Sequence, residues 1–246
     1  RELGGNIVAL QPDVGLGTRE AVADIALSLE RWVDAAVVRT YSHRQLEQFA
    51  LSAPKLHVIN ALSDDEHPCQ ALADFLTLRE HWGELRGRTV AYLGDGNNVA
   101  SSLAQAAAAL GVHFHVASPD GYTLTNTVVQ RATNAARYGA RLRLFTEAAD
   151  AVAGVDAIYT DTWVSMGREA ETSVRRQVFT PYQVNDGLMA LAKPGALFMH
   201  CLPAHRGEEV SHEVFESPAS VVFDQAENRL HCQKALLMML LSPAAP

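Results

Sequence analysis

Cysteine is scarce in this chain of 246 residues, which has only Cys69, Cys201 and Cys232. Their spacing is too wide for a metal-binding knuckle, and three cysteines are too few for a disulfide framework. The sequence therefore predicts free thiols, a reducing compartment such as the cytoplasm, and no bound metal. We also predict no other cofactor.

Long apolar runs and an excess of basic residues are also lacking. No apolar run approaches the roughly 20 residues of a membrane-spanning helix. The chain has 20 Lys and Arg against 28 Asp and Glu, a formal net charge of −8. Nucleic acids and anionic membranes both require concentrated positive charge, so we predict neither as a main partner. The apolar content of 48% is typical of a globular protein with a buried core.

An initiator methionine and a signal-peptide pattern are missing as well. The chain opens on Arg1-Glu2-Leu3-Gly4-Gly5 and runs at once into the apolar residues 7–10. Because natural domains seldom begin with a strand so abruptly, we expect the natural protein to have a further N-terminal part.

Short apolar runs alternate with helical patterns along the rest of the chain. The alternation predicts an α/β fold with mostly parallel sheets covered by helices on both faces. Strands are predicted at 7–10, 35–38, 56–59, 89–93, 113–117, 141–145, 156–160, 196–200 and 220–223. Helices are predicted at 18–32, 43–51, 68–82, 98–110, 125–138, 181–191 and 225–241.

A break at Gly83 and Gly87 divides this series into two parts. We expect one domain over residues 1–82, a second domain with a Rossmann-like doubly wound sheet over 83–224, and a C-terminal helix over 225–246. In open parallel sheets, ligands bind at the carboxyl ends of the strands, so polar motifs that directly follow strands are the candidate site.

The motif Gly94-Asp95-Gly96-Asn97-Asn98 follows the predicted strand at 89–93 and opens a helix. Glycines let a ligand approach the backbone, and a helix N-terminus favours negative charge. The third glycine of a dinucleotide fingerprint is replaced by Val99, and the next strand lacks the acid that binds ribose, which disfavours a nicotinamide enzyme. A plain tight turn would explain the glycines, whereas the two asparagines suit the polar ends of an amino acid.

A second motif, Ser63–Gln70, follows the predicted strand at 56–59. Pro68 suits the first position of a helix. His67 and Gln70 then stand about one turn apart at the helix mouth, where an imidazole N–H and an amide N–H can polarise a carbonyl oxygen. A capped helix with a surface histidine is an equally open interpretation of the spacing.

A third motif, Asp161–Gly167, carries a Ser-Met-Gly turn after the predicted strand at 156–160. Its aspartate can hold a substrate ammonium group, and the polar residues that continue the loop are typical of a mobile lid. An ordinary solvated loop, with Trp163 and Met166 as packing residues, is the alternative.

Three further features complete the candidate site. His200-Cys201-Leu202-Pro203 follows a strand, and a lone cysteine there is more often buried filler than functional. Glu227–His231 places Arg229 in the last helix, where it either meets an anion or lies on a solvated face. Arg39 ends the predicted strand at 35–38 and is placed to meet an anion.

Together, these stretches resemble the ornithine type of the aspartate/ornithine carbamoyltransferase family. They occur in that family's order and span nearly the whole chain. The resemblance implies that Arg39, His67, Gln70, Arg229 and the Cys201-Leu202 segment contact carbamoyl phosphate. It also implies that Asn98, Asp161, Ser165 and Met166 contact L-ornithine.

The family's chemistry suits these residue types. The δ-amine of ornithine attacks the carbamoyl carbon, and donors from His67 and Arg39 stabilise the carbonyl oxygen. Cys201 beside Asp161 favours the neutral amine. The resemblance further implies a homotrimer or higher homo-oligomer with sites at subunit interfaces. Two alternatives stay open: transfer to another amine, such as putrescine or an acylated ornithine, and a remnant that binds an amino acid without catalysis.

One departure from the family concerns its Ser-x-Arg-Thr phosphate-binding segment, which is not found in this sequence. We therefore expect the chain as written to bind carbamoyl phosphate poorly, and the second domain to fold without it.

Overall fold

Strands and helices alternate along the chain in the computed structural model, which describes residues 1–10, 16–17, 19–164 and 169–242. The first five elements are α1 (Val22–Leu29), β1 (Ala35–Arg39), α2 (His43–Ser52), β2 (His57–Leu62) and α3 (Pro68–Trp82). The next six are β3 (Thr89–Leu93), α4 (Asn98–Leu110), β4 (His113–Ala117), α5 (Asn126–Ala135), β5 (Leu142–Phe145) and α6 (Ala148–Val152). The last six are β6 (Ala157–Thr160), α7 (Thr172–Phe179), α8 (Asp186–Met189), β7 (Leu197–His200), α9 (His212–Phe215) and α10 (Val222–Leu241).

Two parallel sheets organise these elements. Strands β1 and β2 form a pair, and the larger sheet has the order β5-β4-β3-β6-β7 with every pairing parallel. The chain runs outward from β3 to β5 and then returns to the other side of β3 at β6. The expected fold class, including the doubly wound second sheet, is thus confirmed, and its switch point lies between β3 and β6.

Strand β3 shows why this sheet is buried on both faces. Val90 and Tyr92 belong to one apolar cluster with α4, whereas Ala91 and Leu93 belong to a second cluster on the opposite face. Side chains alternate in direction along a strand, so a continuous apolar run supplies both layers. Among the described residues, no helix is long and apolar enough to cross a membrane.

The C-terminal helix α10 returns to α3, as expected. The side-chain amide of Asn228 donates to Thr77 Oγ1 at 2.9 Å and to Glu80 Oε2 at 2.6 Å. Asn228 is buried, so these bonds offset the cost of removing its amide from water. The C-terminal helix is therefore attached to α3, the helix whose N-terminus belongs to the candidate site.

The structure corrects two strand predictions. Residues 7–10 form no strand, and Ile7 and Val8 are each 71% exposed, because no described strand lies beside them to accept backbone hydrogen bonds. Residues 220–223 contribute only an isolated bridge from Ser220 to Phe198, since α10 already begins at Val222.

Two helix predictions are also corrected. The helix predicted at 181–191 is replaced by a 3₁₀ turn, Thr180–Tyr182, and by α8. The chain starts a new helix there because the side chain of Asn185 accepts the backbone N–H of Leu188 as a cap. The helix predicted at 18–32 begins at Val22 and ends at Leu29, and residue 18 lies outside the described residues.

Asp156 joins three elements at the amino ends of the strands, opposite the candidate site. Its carboxylate, 4% exposed, accepts the Thr89 N–H at 2.8 Å, Arg88 Nη1 at 3.0 Å and Lys193 Nζ at 2.9 Å. Burial raises its pKa, but these three donors outweigh burial and leave the pKa below its usual value.

We expect Asp156→Asn to lower the free energy of unfolding by about 2 kcal/mol at pH 7, because a buried ion pair is broken. The loss is moderate because Arg88 and Lys193 are half-exposed and keep their hydration. A lowered folded-state pKa contributes stability above the unfolded value and loses it as pH falls through the folded value. The deficit should therefore shrink below about pH 4. Urea unfolding at pH 7 and pH 3.5 measures it, and an equal deficit at both pH values would contradict the assignment.

Candidate active site

Polar side chains converge at the carboxyl ends of β3, β6 and β7. The Gly94–Asn98 turn follows β3, Asp161 follows β6, and Cys201 follows β7. Strand β6 pairs with both β3 and β7, so these three strand ends are neighbours. The candidate site thus lies at the topological switch point, where open α/β sheets bind ligands.

Asp161 is the centre of this cluster. One carboxylate oxygen accepts the Asn97 amide at 2.7 Å, and the other accepts the Thr162 N–H at 2.7 Å and the Cys201 thiol at 3.0 Å. Asp161 is 8% exposed. Neutral donors therefore hold the carboxylate in place and leave its negative charge available to a cation.

Cys201 is a hydrogen-bond donor to Asp161 and is not a thiolate. Burial, followed by the nearby charge of Asp161, raises the pKa of its thiol well above the usual value. Only the thiolate is a strong nucleophile, so this cysteine is not suited to covalent catalysis at neutral pH.

Asn97 positions the turn after β3. Its side-chain oxygen caps α4 by accepting the N–H groups of Val99 and Ala100 at 3.0 and 3.1 Å, while its NH₂ group reaches Asp161. Gly96 leaves no room for a side chain, because a Cβ there would lie 2.5 Å from the Leu124 nitrogen. The turn is therefore fixed by a cap on one side and by close backbone packing on the other.

The side-chain NH₂ group of Asn98 has its partner outside this cluster. It donates to the Ser63 carbonyl at 2.6 Å, which ties the start of α4 to the loop before α3. The two consecutive asparagines thus have different partners, and the one that contacts Asp161 is Asn97.

His67 is the N-cap residue of α3, as the helix start at Pro68 predicts. It is buried, so the alternative of a surface histidine is wrong. Its backbone N–H donates to Ser102 Oγ at 2.8 Å, and its Nδ1 has no partner among the described residues. Burial lowers the pKa of the imidazole to about 4, with help from Arg229 and Arg39 and against the opposing charge of Asp161. At neutral pH the ring is uncharged and has one N–H to donate.

Gln70 has a different orientation from the one predicted. Its amide NH₂ donates to Asp74 Oδ1 at 2.8 Å, and its oxygen accepts from Arg229. The expected convergence of His67 and Gln70 donors on one carbonyl oxygen is therefore wrong for the amide. The amide instead donates to Asp74, a fully buried carboxylate inside α3. A helical sequence pattern alone does not reveal this contact.

The His200–Pro203 loop after β7 is held by its own histidine. Leu202 has φ of +56°, a left-handed conformation that a branched residue seldom adopts. His200 Nδ1 accepts the Leu202 N–H at 2.9 Å, and His200 Nε2 lies 3.2 Å from the buried carboxylate of Glu209. Because Nδ1 accepts, Nε2 carries the proton and donates to Glu209.

Asp161, His200 and Cys201 also place three potential metal-ligand atoms within 4.8 Å of one another. Each residue is already engaged: the thiol donates to Asp161, and both ring nitrogens of His200 have partners. A cation would have to displace these hydrogen bonds and the thiol proton. The sequence-based expectation of no bound metal stays a prediction.

The remaining predicted residues are placed as follows. Arg39 ends β1 with an exposed side chain, and its charge acts on His67. Arg229 lies on α10 beside Gln70. Ser165 and Met166 lie outside the described residues, as do residues 167 and 168 of the loop predicted to be a lid.

Sequence reasoning missed a buried arginine next to this loop. Arg175 on α7 donates to Asp95 Oδ2 at 2.6 Å and to the Trp163 carbonyl at 3.0 Å. It thereby links the turn after β3 to the loop after β6. No short motif signals this role, because the three residues are far apart in the chain.

The doubly wound sheet and the polar cluster at its switch point define a ligand-binding α/β protein with parts of its site on two segments. Family models match both segments: the aspartate/ornithine carbamoyltransferase carbamoyl-P binding domain matches residues 1–80, and the Asp/Orn binding domain matches residues 86–240. The chain belongs to the aspartate/ornithine carbamoyltransferase family.

Relatives within this family are similar over almost the whole chain. The ornithine carbamoyltransferase of Symbiobacterium thermophilum is 49% identical over 244 residues, covering 98% of this chain and 78% of the relative. The anabolic ornithine carbamoyltransferase of Pyrococcus furiosus is 50% identical over 241 residues, covering 97% and 76%. The solved ornithine carbamoyltransferase structure from Pyrococcus furiosus matches with a TM-score of 0.90 at 50% identity, covering 95% of this chain and 74% of that one.

We expect His67 to stay uncharged from pH 8 down to about pH 5, because burial and two arginines oppose its protonation. A folded-state pKa below the unfolded value means that stability is fully present above about pH 6.5 and falls as pH drops toward 4. Nitrogen NMR of histidine-labelled protein measures the titration, with His67→Gln to assign the signal. A midpoint above pH 6 would contradict the expectation.

Proposed function

We propose that this protein transfers the carbamoyl group of carbamoyl phosphate to the δ-amine of L-ornithine, giving L-citrulline and phosphate. The observation that carries the proposal is about 50% identity, over 97–98% of this chain, to proteins named ornithine carbamoyltransferase. The polar cluster at the switch point supports it, because it offers a carboxylate for an ammonium group beside neutral hydrogen-bond donors.

In this proposal, carbamoyl phosphate lies between the mouth of α3 and α10. Arg229 supplies positive charge for the phosphate group, and Gln70 holds Arg229. Arg39 acts with His67 on the carbonyl oxygen. The Cys201-Leu202 segment lies beside the carbamoyl group. His67 donates its single N–H to the carbonyl oxygen, where negative charge develops during attack.

L-ornithine lies against the end of β6. Asp161 pairs with a substrate ammonium group in a charge-assisted contact. Asn98, Ser165 and Met166 complete the amino-acid site in this assignment. Its support is the resemblance of their motifs to the family, together with the position of Asn98 at the start of α4.

The reaction needs no covalent intermediate on the protein. The neutral δ-amine attacks the carbamoyl carbon, the bond to the phosphate oxygen breaks, and the proton lost by nitrogen ends on phosphate. The amine must first be deprotonated, since the reference pKa of such a group is about 10.4. The protonated Cys201 thiol adds no negative charge at the point of attack, so it does not stabilise the ammonium form there.

We further propose that the protein acts in the cytoplasm as a homotrimer or a larger homo-oligomer. The three free thiols support a reducing compartment. Exposed apolar side chains such as Trp32, at 74%, and Val37, at 63%, support association with further chains. Light scattering after size exclusion measures the assembly.

A steady-state assay of citrulline formation tests the activity. The purified protein is mixed with carbamoyl phosphate and with ornithine, putrescine or an acylated ornithine. We expect ornithine to give the highest kcat/KM, because the site provides for an amino-acid head group. Folded protein that forms no carbamoylated product, or that prefers putrescine, would overturn the proposal.

Asp161→Ala should raise the KM for ornithine by about a hundredfold, because a charge-assisted contact to an ammonium group is lost. The KM for carbamoyl phosphate should change less than about twofold. Asp224→Ala, which removes an exposed carboxylate on α10, is the matched control and should leave both constants unchanged. Equal increases for both substrates would show that Asp161 does not select the amine.

His67→Ala should lower kcat by about a hundredfold, since one preorganised donor to the developing oxyanion is removed. The exposed His57 provides the control, and His57→Ala should retain the parental kcat. Thermal unfolding verifies that both variants are folded. Parental turnover in folded His67→Ala would favour the alternative interpretation, a capped helix without a catalytic role.

A further inference from the structure

Asp74 is a carboxylic acid buried completely in the middle of α3. Its Oδ1 accepts the side-chain NH₂ groups of Gln70 and Gln225, both at 2.8 Å, and its Oδ2 accepts the Tyr159 hydroxyl at 3.1 Å. Among the described residues, no lysine, arginine or histidine forms an ion pair with it. Three neutral donors, from α3, α10 and β6, thus surround one buried acid.

The chemistry of a carboxylate fixes the orientation of both glutamines. An ionised carboxylate only accepts hydrogen bonds, so each amide must turn its NH₂ group toward Asp74. Each amide oxygen then points the opposite way. The oxygen of Gln70 accepts from Arg229, and the oxygen of Gln225 accepts the backbone N–H of His200 at 3.0 Å.

The two amide oxygens hold groups on opposite sides of the proposed carbamoyl phosphate site. Arg229 is the arginine assigned to the phosphate group. The His200 N–H lies at the end of β7, one residue before Cys201, where the loop beside the carbamoyl group begins. If either amide turned over, an NH₂ group would face a guanidinium or a backbone N–H, and two donors would oppose each other.

We propose that Asp74 is a positioning residue for carbamoyl phosphate binding, which acts by fixing the amides of Gln70 and Gln225. The inference rests on the proposed function, because the role of Arg229 comes from there. Asp74 itself touches neither substrate. What matters is its acceptor oxygen between the two glutamines.

The stability cost of Asp74 supports a functional role. Burial raises the pKa of its carboxyl to about 6, although its three donors and Arg229 act in the opposite direction. A raised folded-state pKa means that stability is lost as pH rises from about 4 to about 6. An uncharged asparagine of the same shape would avoid this loss, so the carboxylate at neutral pH is not the choice that folding alone favours.

Two substitutions separate the effect of the Asp74 acceptor oxygens from the effect of the Asp74 charge. Asp74→Ala removes every acceptor and should raise the KM for carbamoyl phosphate by about tenfold, with the KM for ornithine within about twofold of the parent. Asp74→Asn keeps one oxygen for both glutamines and turns its NH₂ toward the Tyr159 oxygen, so it should restore a KM near the parental value. At pH 8, Asp74→Asn should unfold at a temperature no lower than the parent.

A double-mutant cycle and a matched control complete the experiment. In a Gln70→Ala background, Asp74→Ala should have less than about half of the effect on the KM for carbamoyl phosphate that it has in the parent. The reason is that Asp74 acts partly through Gln70. Asp156→Asn removes another buried carboxylate, at the opposite ends of the strands, and should change stability but neither KM. If Asp74→Ala does not fold, Asp74→Val, which fills the space without an acceptor, takes its place.

The outcomes distinguish this inference from the proposed function. Parental protein that forms no citrulline overturns both. An active parent overturns this inference alone if folded Asp74→Ala keeps the parental KM for carbamoyl phosphate, if both KM values rise equally, or if the effects in the cycle are additive. It also fails if neither Asp74→Ala nor Asp74→Val folds, since Asp74 then serves the structure.

Discussion

The parallel pairing of β3 with β6 is the constraint on which the candidate site depends. Leu93 is in register with Thr160, so the turn after β3 and Asp161 after β6 leave the sheet at the same level. The Asn97 amide can therefore reach the Asp161 carboxylate at 2.7 Å while the same side chain caps α4. A shift of register would separate these groups and would also exchange the two buried faces of β3.

The contact between α3 and α10 attaches the rest of the site to that sheet. It is polar where it is most deeply buried, through Asp74, Gln225 and Asn228. Buried polar groups are costly unless every partner is in place, so this contact permits few alternative arrangements of the two helices. The last helix of the chain can thus place Arg229 beside the mouth of α3, although 159 positions separate it from Gln70.

The sequence was sufficient to predict the elements whose ends have local causes. Helix α3 begins at Pro68 and α4 begins after Asn97, because a proline at the first helical position and a capping asparagine act within one turn. Strand β3 was predicted with its observed bounds, since a run that is apolar on both faces suits the centre of a parallel sheet. The apolar run at 7–10 failed as a strand because strand formation also requires a neighbour.

Partner choice within the site was harder to predict. The sequence places two asparagines after β3, but only the path of the backbone shows that Asn97 reaches Asp161 and Asn98 reaches Ser63. Similarly, the spacing of His67 and Gln70 predicts two donors that face one cleft. Tyr159 and Gln225, which with Gln70 surround Asp74, come from distant segments, so the turned amide of Gln70 is a consequence of tertiary structure.

Charge is divided within the site in a way that suits a reaction between an anion and an amine. In the proposed function the fixed charges have separate roles, with Arg229 for the phosphate group and Asp161 for an ammonium group. His67 and Cys201 are both uncharged at neutral pH because burial opposes their ionisation. An imidazolium in place of His67 would attract the phosphate group and compete with Arg229 for it. A thiolate in place of Cys201 would stabilise the protonated amine, which cannot attack. In the proposed function, the neutral His67 donor instead responds to the charge that forms on the carbonyl oxygen during transfer, so its contribution is larger in the transition state than in the bound substrates.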